Sequence, residues 1–226
     1  GFWSGSTGGV ANTTTAARPG PLEPGSLRGL QVTLPSASYL TDNTPAAALL
    51  QEAIDHARRA VALDADLAEA HATLGFVLVS AWQTTEAAPA ARRAVALEPT
   101  NWRHFFRLGH ASWGDERLEA AHHTLALYPD FAFAYFQMAM VDVARGHLRD
   151  AETVLRHGAA VQDRQVARGD RYPALGLHWL LGLVRFAQGD LDEALREFDC
   201  EKERADPHRL YGREYEMNVA HARGAC

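Results

Sequence analysis

Two cysteines, a single lysine and no long apolar run define what this 226-residue chain does without. Cys200 and Cys226 cannot by themselves build a disulfide framework or a thiolate zinc site. No uninterrupted apolar stretch reaches the roughly 18–20 residues that cross a bilayer. The densest stretches, Phe131–Val141 and Leu175–Val184, have the length of core helices. Positive charge is also short, with 22 basic against 28 acidic side chains and a formal charge of -6. A dedicated nucleic-acid binder would normally be basic, so that class is set aside. Several chemical signatures are missing too. No His-Glu-x-x-His stretch, nucleophile elbow, phosphate loop or dinucleotide fingerprint occurs. Gly5-Ser6-Thr7-Gly8-Gly9 lacks the lysine and flanking strand that a phosphate cradle needs. The expectation is a chain without catalytic residues, metal or cofactor. It begins without methionine or a signal-type leader, which reads as a processed or excised piece.

What is present is helix-forming material. Hydrophobic residues make up 47% of the chain, enough to bury a core and exclude wholesale disorder. Alanine occurs 41 times, and as the best helix former it also lets helices approach closely. The 21 arginines beside Lys202 suggest a GC-rich bacterial source, and a bacterial cytoplasmic location is the expectation. Residues 1–38 stand apart: Gly, Pro, Ser and Thr fill 21 of the 38 positions, which reads as an extended arm.

From Pro45 onward the chain repeats. An offset of 34 residues aligns Ala53 with Ala87, Ala60 with Ala94, Leu63 with Leu97, and Leu74-Gly75 with Leu108-Gly109. An offset of 43 aligns Ala139 with Gly182 and superposes Gly146–Ala151 on Gly189–Ala194. Fixed-period self-similarity signals stacked helix pairs, each burying the apolar face its neighbour cannot cover alone. Small residues such as Gly75, Gly109, Ala139 and Gly182 belong where paired helices come closest, and Pro99 ends a unit because it cannot continue a helix. In Ala68–Asn101 the chain resembles the tetratricopeptide repeat, with Leu74-Gly75 in the first helix, Ala87 and Ala94 in the second and Pro99 as terminator.

The resemblance covers about residues 45–205 and implies an all-α fold, an α-solenoid of antiparallel helix pairs in a superhelix behind the N-terminal arm. The expected organisation is the arm over 1–38 and a repeat domain over 39–226. Its units fall at about 37–67, 68–101, 102–131, 132–163 with an insert at 164–174, 175–206, and a terminal helix at 211–226. The third unit is short, because Pro99 and Pro129 are 30 residues apart. The second helix of the fourth unit is expected to run to about Gln162.

The resemblance further implies a concave face lined by the first helix of each unit, where members of the family bind extended peptides or helices. The candidate partner-binding residues are Phe76 and Val79; Arg103, Phe106, His110 and Trp113; Phe133, Phe136 and Met140; and Trp179, Leu183 and Phe186. This face is apolar and aromatic. Arg103 is its only cation, so the carboxylate-clamp mode of some family members does not fit. A monomer rarely exposes an apolar patch of more than a few hundred Å², so something should cover it. Three covers remain open: the chain's own arm, which offers Phe2, Trp3, Leu22 and Leu30; a partner protein or second copy; and an apolar small molecule. The leading expectation is a non-enzymatic protein-interaction scaffold. The alternative is a small-molecule receptor or enzyme using the groove as a pocket, with His110 or Arg103 as its polar group, in a sensory-regulatory domain of a larger protein. His71 and His178 are read as packing residues. His104 and His110, six apart, diverge too far to share a metal.

Overall fold

In the computed structural model, the structure describes residues 47–170 and 174–204. The N-terminal arm, the terminal helix expected at 211–226 and residues 171–173 lie outside the described residues. Nine α-helices and no strand occur among the described residues: α1 (Ala47–Leu63), α2 (Ala68–Ser80), α3 (Thr84–Leu97), α4 (Trp102–Ala111), α5 (Asp115–Leu127), α6 (Ala132–Ala144), α7 (Leu148–Ala167), α8 (Leu177–Gln188) and α9 (Leu191–Arg204). None is long and apolar enough to cross a membrane. The chain divides into two compact units, at Leu97 and Glu98.

In the first unit α2 packs on both α1 and α3. The contact is close because Gly75 has no side chain. A Cβ there would stand 2.9 Å from the carbonyl oxygen of Ala87 and 3.3 Å from the Cβ of Ala91. Ala87, Ala91 and Ala94 present a fully buried small-residue face to α2. Two ion pairs on the surface of this unit, Arg58–Glu86 at 2.9 Å and Arg93–Asp66 at 2.8 Å, join elements about one repeat apart in sequence. Both are exposed and contribute little to stability.

In the second unit the pairs are α4 with α5, α6 with α7 and α8 with α9. Successive pairs join through α5 against α6 and α7 against α8, and the leading helices also touch, α4 with α6 and α6 with α8. The core runs through Ala132, Ala139, Leu155, Val161, Leu177, Leu181 and Val184. Gly182 admits the ring of Phe198, and a Cβ there would collide with it at 2.5 Å.

Helix ends follow a repeated device. At the C-terminus of α6 the amide of Gly146 donates to Val143 and that of His147 to Asp142. At α7 Gly169 donates to Val166 and Asp170 to Gln165, and at α8 Gly189 donates to Phe186 and Asp190 to Arg185. This paired closure needs a left-handed residue after the cap, and glycine supplies it at φ 76°, 70° and 87°. After α2 the same closure appears, with Trp82 donating to Val79 and Gln83 to Leu78. There the left-handed residue is Trp82, at φ 60°.

The shortened third unit has a plain structural cause. Its first helix, α4, has 10 residues where α2 and α6 have 13, and its second, α5, has 13 where α3 has 14. Arg117 closes the gap: its Nε donates to the carbonyls of Gly109 at 2.7 Å and Ser112 at 3.0 Å, occupying acceptors that an extra turn of α4 would have used. In the fourth unit α7 runs to Ala167, beyond the Gln162 expected from the sequence. Its extra turn is held by Arg164 and Arg168 on the Asp130 carboxylate and by Gln165 on the Asp130 carbonyl.

Candidate functional site

The leading helices of the second unit carry most of the residues expected on a binding face. On α4, Phe106 is half-buried and contacts Phe131 edge-on, with ring centroids 4.7 Å apart, and Phe133 at 6.5 Å. On α6, Phe133, Phe136 and Met140 are half-buried and lie against the same core cluster as Trp179 and Leu183 of α8. Phe186 joins them by packing, with Trp179 and Leu183, on Ala194 and Phe198 of α9. The structure thus brings seven large apolar side chains together on three adjoining helices, each leaving part of its surface uncovered.

The remaining candidates are placed differently. Arg103 is exposed, and its guanidinium lies over the Trp102 ring at 4.7 Å. His110 is half-buried beside Phe106, with ring centroids 6.5 Å apart. Burial, helped by the charge of Arg117, lowers the His110 pKa to about 4. Trp113 stands beyond the end of α4, in the turn before α5. It is 53% exposed, and the Arg117 guanidinium lies over its ring at 4.3 Å. In the first unit Val79 is half-buried, whereas Phe76 is only 8% exposed and belongs to the core.

Sequence reasoning missed two groups. The first is an aromatic cluster at the start of α4 and the approach to α6. Trp102 contacts Tyr128 at 5.0 Å and Phe131 at 4.6 Å, continuing the row of rings from Phe106. Tyr128 and Phe131 flank Pro129-Asp130, and that aromatic bracketing of a helix stop was the available signal.

The second group lies at the start of α8. Gly176 stands at the N-cap with no side chain to satisfy the first amides of the helix. Glu201 of α9 is fully buried and does so instead, accepting from the backbone N–H of Gly176 at 2.8 Å, His178 at 3.1 Å and Trp179 at 3.3 Å. Gln162 of α7 accepts from Leu177 at 3.2 Å and donates to both Glu201 oxygens. A carboxylate is favoured there because the helix N-terminus carries partial positive charge. His178 is bonded on both sides, from Nδ1 to Glu197 at 2.6 Å and from Nε2 to Asp163 at 3.1 Å. Its counterpart His71 makes one such contact, with Nε2 2.9 Å from the carbonyl of Ala65. Among the described residues no group of three or more His, Cys, Asp or Glu could hold a metal.

Paired antiparallel helices, small residues at their crossings and leading helices in mutual contact define a tetratricopeptide-type solenoid. A TPR protein of Thermus thermophilus is similar in structure over 88% of this chain and 98% of its own, at a TM-score of 0.65 and 19% identity. PilF of Pseudomonas aeruginosa is similar over 88% of this chain and 90% of its own, at a TM-score of 0.60 and 15% identity. YrrB, described as a TPR protein with an unusual peptide-binding site, is similar over 77% of this chain and 84% of its own, at a TM-score of 0.50 and 21% identity. At such identities the likeness is one of fold. No family model and no curated protein matches the sequence.

Proposed function

We propose that this chain is a non-enzymatic protein-interaction module that holds an extended or helical apolar segment against the leading helices of its second unit. The contacts are Phe106, Phe133, Phe136, Met140, Trp179, Leu183 and Phe186. One observation carries the reading: six of the seven pack on buried core clusters and Phe106 packs on Phe131 and Phe133, yet all seven are only partly buried. Completing the cover of such side chains is worth up to roughly 1.5–3 kcal/mol for each one fully buried. A groove of this kind therefore has a driving force for binding that a polar surface lacks. The peptide site described for YrrB, on a similar fold, supports the same direction. Arg103, His110 and Trp113 stand at the margin of the proposed site, and the reading does not rest on Phe76 and Val79. In this reading residues 39–226 form the repeat domain and residues 1–38 the arm.

The test is selection of displayed peptides on the full chain, followed by affinity measurements with Phe136→Ala and Trp179→Ala. Selected peptides should be apolar, and each variant should weaken them by about tenfold or more, equivalent to roughly 1.4 kcal/mol. Affinity in both variants equal to that of the unaltered chain overturns the site. If the arm is the natural occupant, a chain lacking residues 1–38 should bind the peptides more tightly. A non-peptide molecule retained in native mass spectrometry would favour the small-molecule reading instead.

A further inference from the structure

His178 is placed as no other histidine among the described residues is. Its side chain is 9% exposed and stands between two carboxylates from different helices, Asp163 of α7 and Glu197 of α9. A neutral imidazole carries one N–H, so it can donate to only one of them, and its other nitrogen would turn a lone pair toward the second carboxylate. Imidazolium donates to both. The geometry, with 2.6 Å on one side and 3.1 Å on the other, fits the charged form.

The surroundings agree. From α9, Glu197 and Glu201 both face this residue, Glu201 through its bond to the His178 amide. From α7, Asp163 does. The other helix against α8, α6, carries Asp142 as its one charge, and that residue interacts with Asp150, His147, Arg145 and His122. Each ring nitrogen therefore faces a carboxylate, and a third carboxylate, Glu201, accepts from the residue's own backbone amide. Burial disfavours the charged ring, but the hydrogen bonds and charges of Glu197 and Asp163 outweigh it, and the pKa rises above the ordinary histidine value.

We propose that His178 is a proton-operated latch, which in its charged form ties the start of α8 to α7 and α9 and on losing its proton releases the α7 side. The α7 side opens because the Asp163 contact is the longer one and its carboxylate is 43% exposed, whereas that of Glu197 is 20% exposed. Water replaces the imidazole at Asp163 more readily than at Glu197. The sign of the linkage follows from the raised pKa. The latch's contribution is fully present below the unfolded-state value of about 6.5 and is lost as pH rises through the folded-state pKa.

The experiment combines imidazole nitrogen NMR of the full chain across pH 5–9 with amide exchange at Leu177–Leu181, normalised for intrinsic rates. Both His178 nitrogens should carry protons in more than half of the molecules at pH 6.5, where an ordinary histidine is about half titrated. Local opening should rise by up to about tenfold per pH unit between about 6.5 and the folded pKa, then level off. His178→Gln, which keeps one donor and one acceptor, should abolish that slope, and Asp163→Asn should move it to lower pH. A His178 that titrates at or below the ordinary value of about 6.5, or an unchanged slope in His178→Gln, overturns the latch. If His178→Gln does not fold, the wild-type titration and Asp163→Asn decide the matter.

Discussion

Replacing Trp82 with glycine should stabilise the protein, although it deletes the largest side chain in the α2–α3 turn. Trp82 holds φ 60°, a conformation that costs an L-residue roughly 1–2 kcal/mol. Its ring is 88% exposed, so little buried surface is lost with it. Glycine takes the same conformation freely, as Gly146 and Gly189 do in equivalent closures. Against this stands the greater freedom of glycine in the unfolded chain, roughly 0.5–1 kcal/mol. The net expectation is a gain of about 0.5–1 kcal/mol. Equilibrium urea unfolding, with a slope of about 1–3 kcal/mol per molar, should show the midpoint rising by about 0.2–1 M with unchanged slope. Trp82→Ala keeps the strain and should leave the midpoint nearly unmoved. A loss of about 1 kcal/mol or more in Trp82→Gly would refute the strain argument and show that the indole ring contributes stabilising contacts.

Glu201→Ala should cost about 3 kcal/mol or more, because it strands three amides of α8 together with the Gln162 side chain, and thermal or urea unfolding would show it. Glu201→Gln should fall between that variant and the wild type. His110 should remain neutral down to about pH 4, so its contribution to stability is present above about 6.5 and is lost as pH falls toward 4. That is the opposite sign to His178, and titration of the two rings by NMR would separate them.

The fold class was readable because its determinants are local and recur. Gly75 sits where a Cβ would meet the Ala87 carbonyl, and an offset of one repeat finds Gly109, where a Cβ would meet the Gln137 side chain of α6. Pro99 and Pro129 each stand two residues beyond a helix end, where proline forbids continuation. The register through the third unit was not readable. The residue that stops α4 is Arg117, which reaches back eight positions to the Gly109 carbonyl, and nothing in the spacing announces it. Trp113 therefore stands beyond the end of the helix on which the repeat spacing alone would put it. The extra turn of α7 is held through Asp130, more than thirty positions earlier, and is equally hidden. His178 looked like a packing residue because its partners lie 15 positions before it and 19 after. The aromatic row on α4, α6 and α8 was visible as periodicity. Its rim at Trp102 and Tyr128 was not, because those rings flank helix ends and follow no period.

The buried carboxylate at the head of α8 also bears on how such arrays are rebuilt by recombination. Repeat proteins are commonly shortened, lengthened or shuffled by exchanging whole helix pairs. Here Glu201, near the tail of one pair, completes the opening turn of that pair only with help from Gln162 in the pair before. A graft cut between Ala167 and Leu177 would separate the two halves of that support. The two whole helix pairs over residues 132–204 are therefore the smallest interchangeable block in this region, about twice the length of one helix pair.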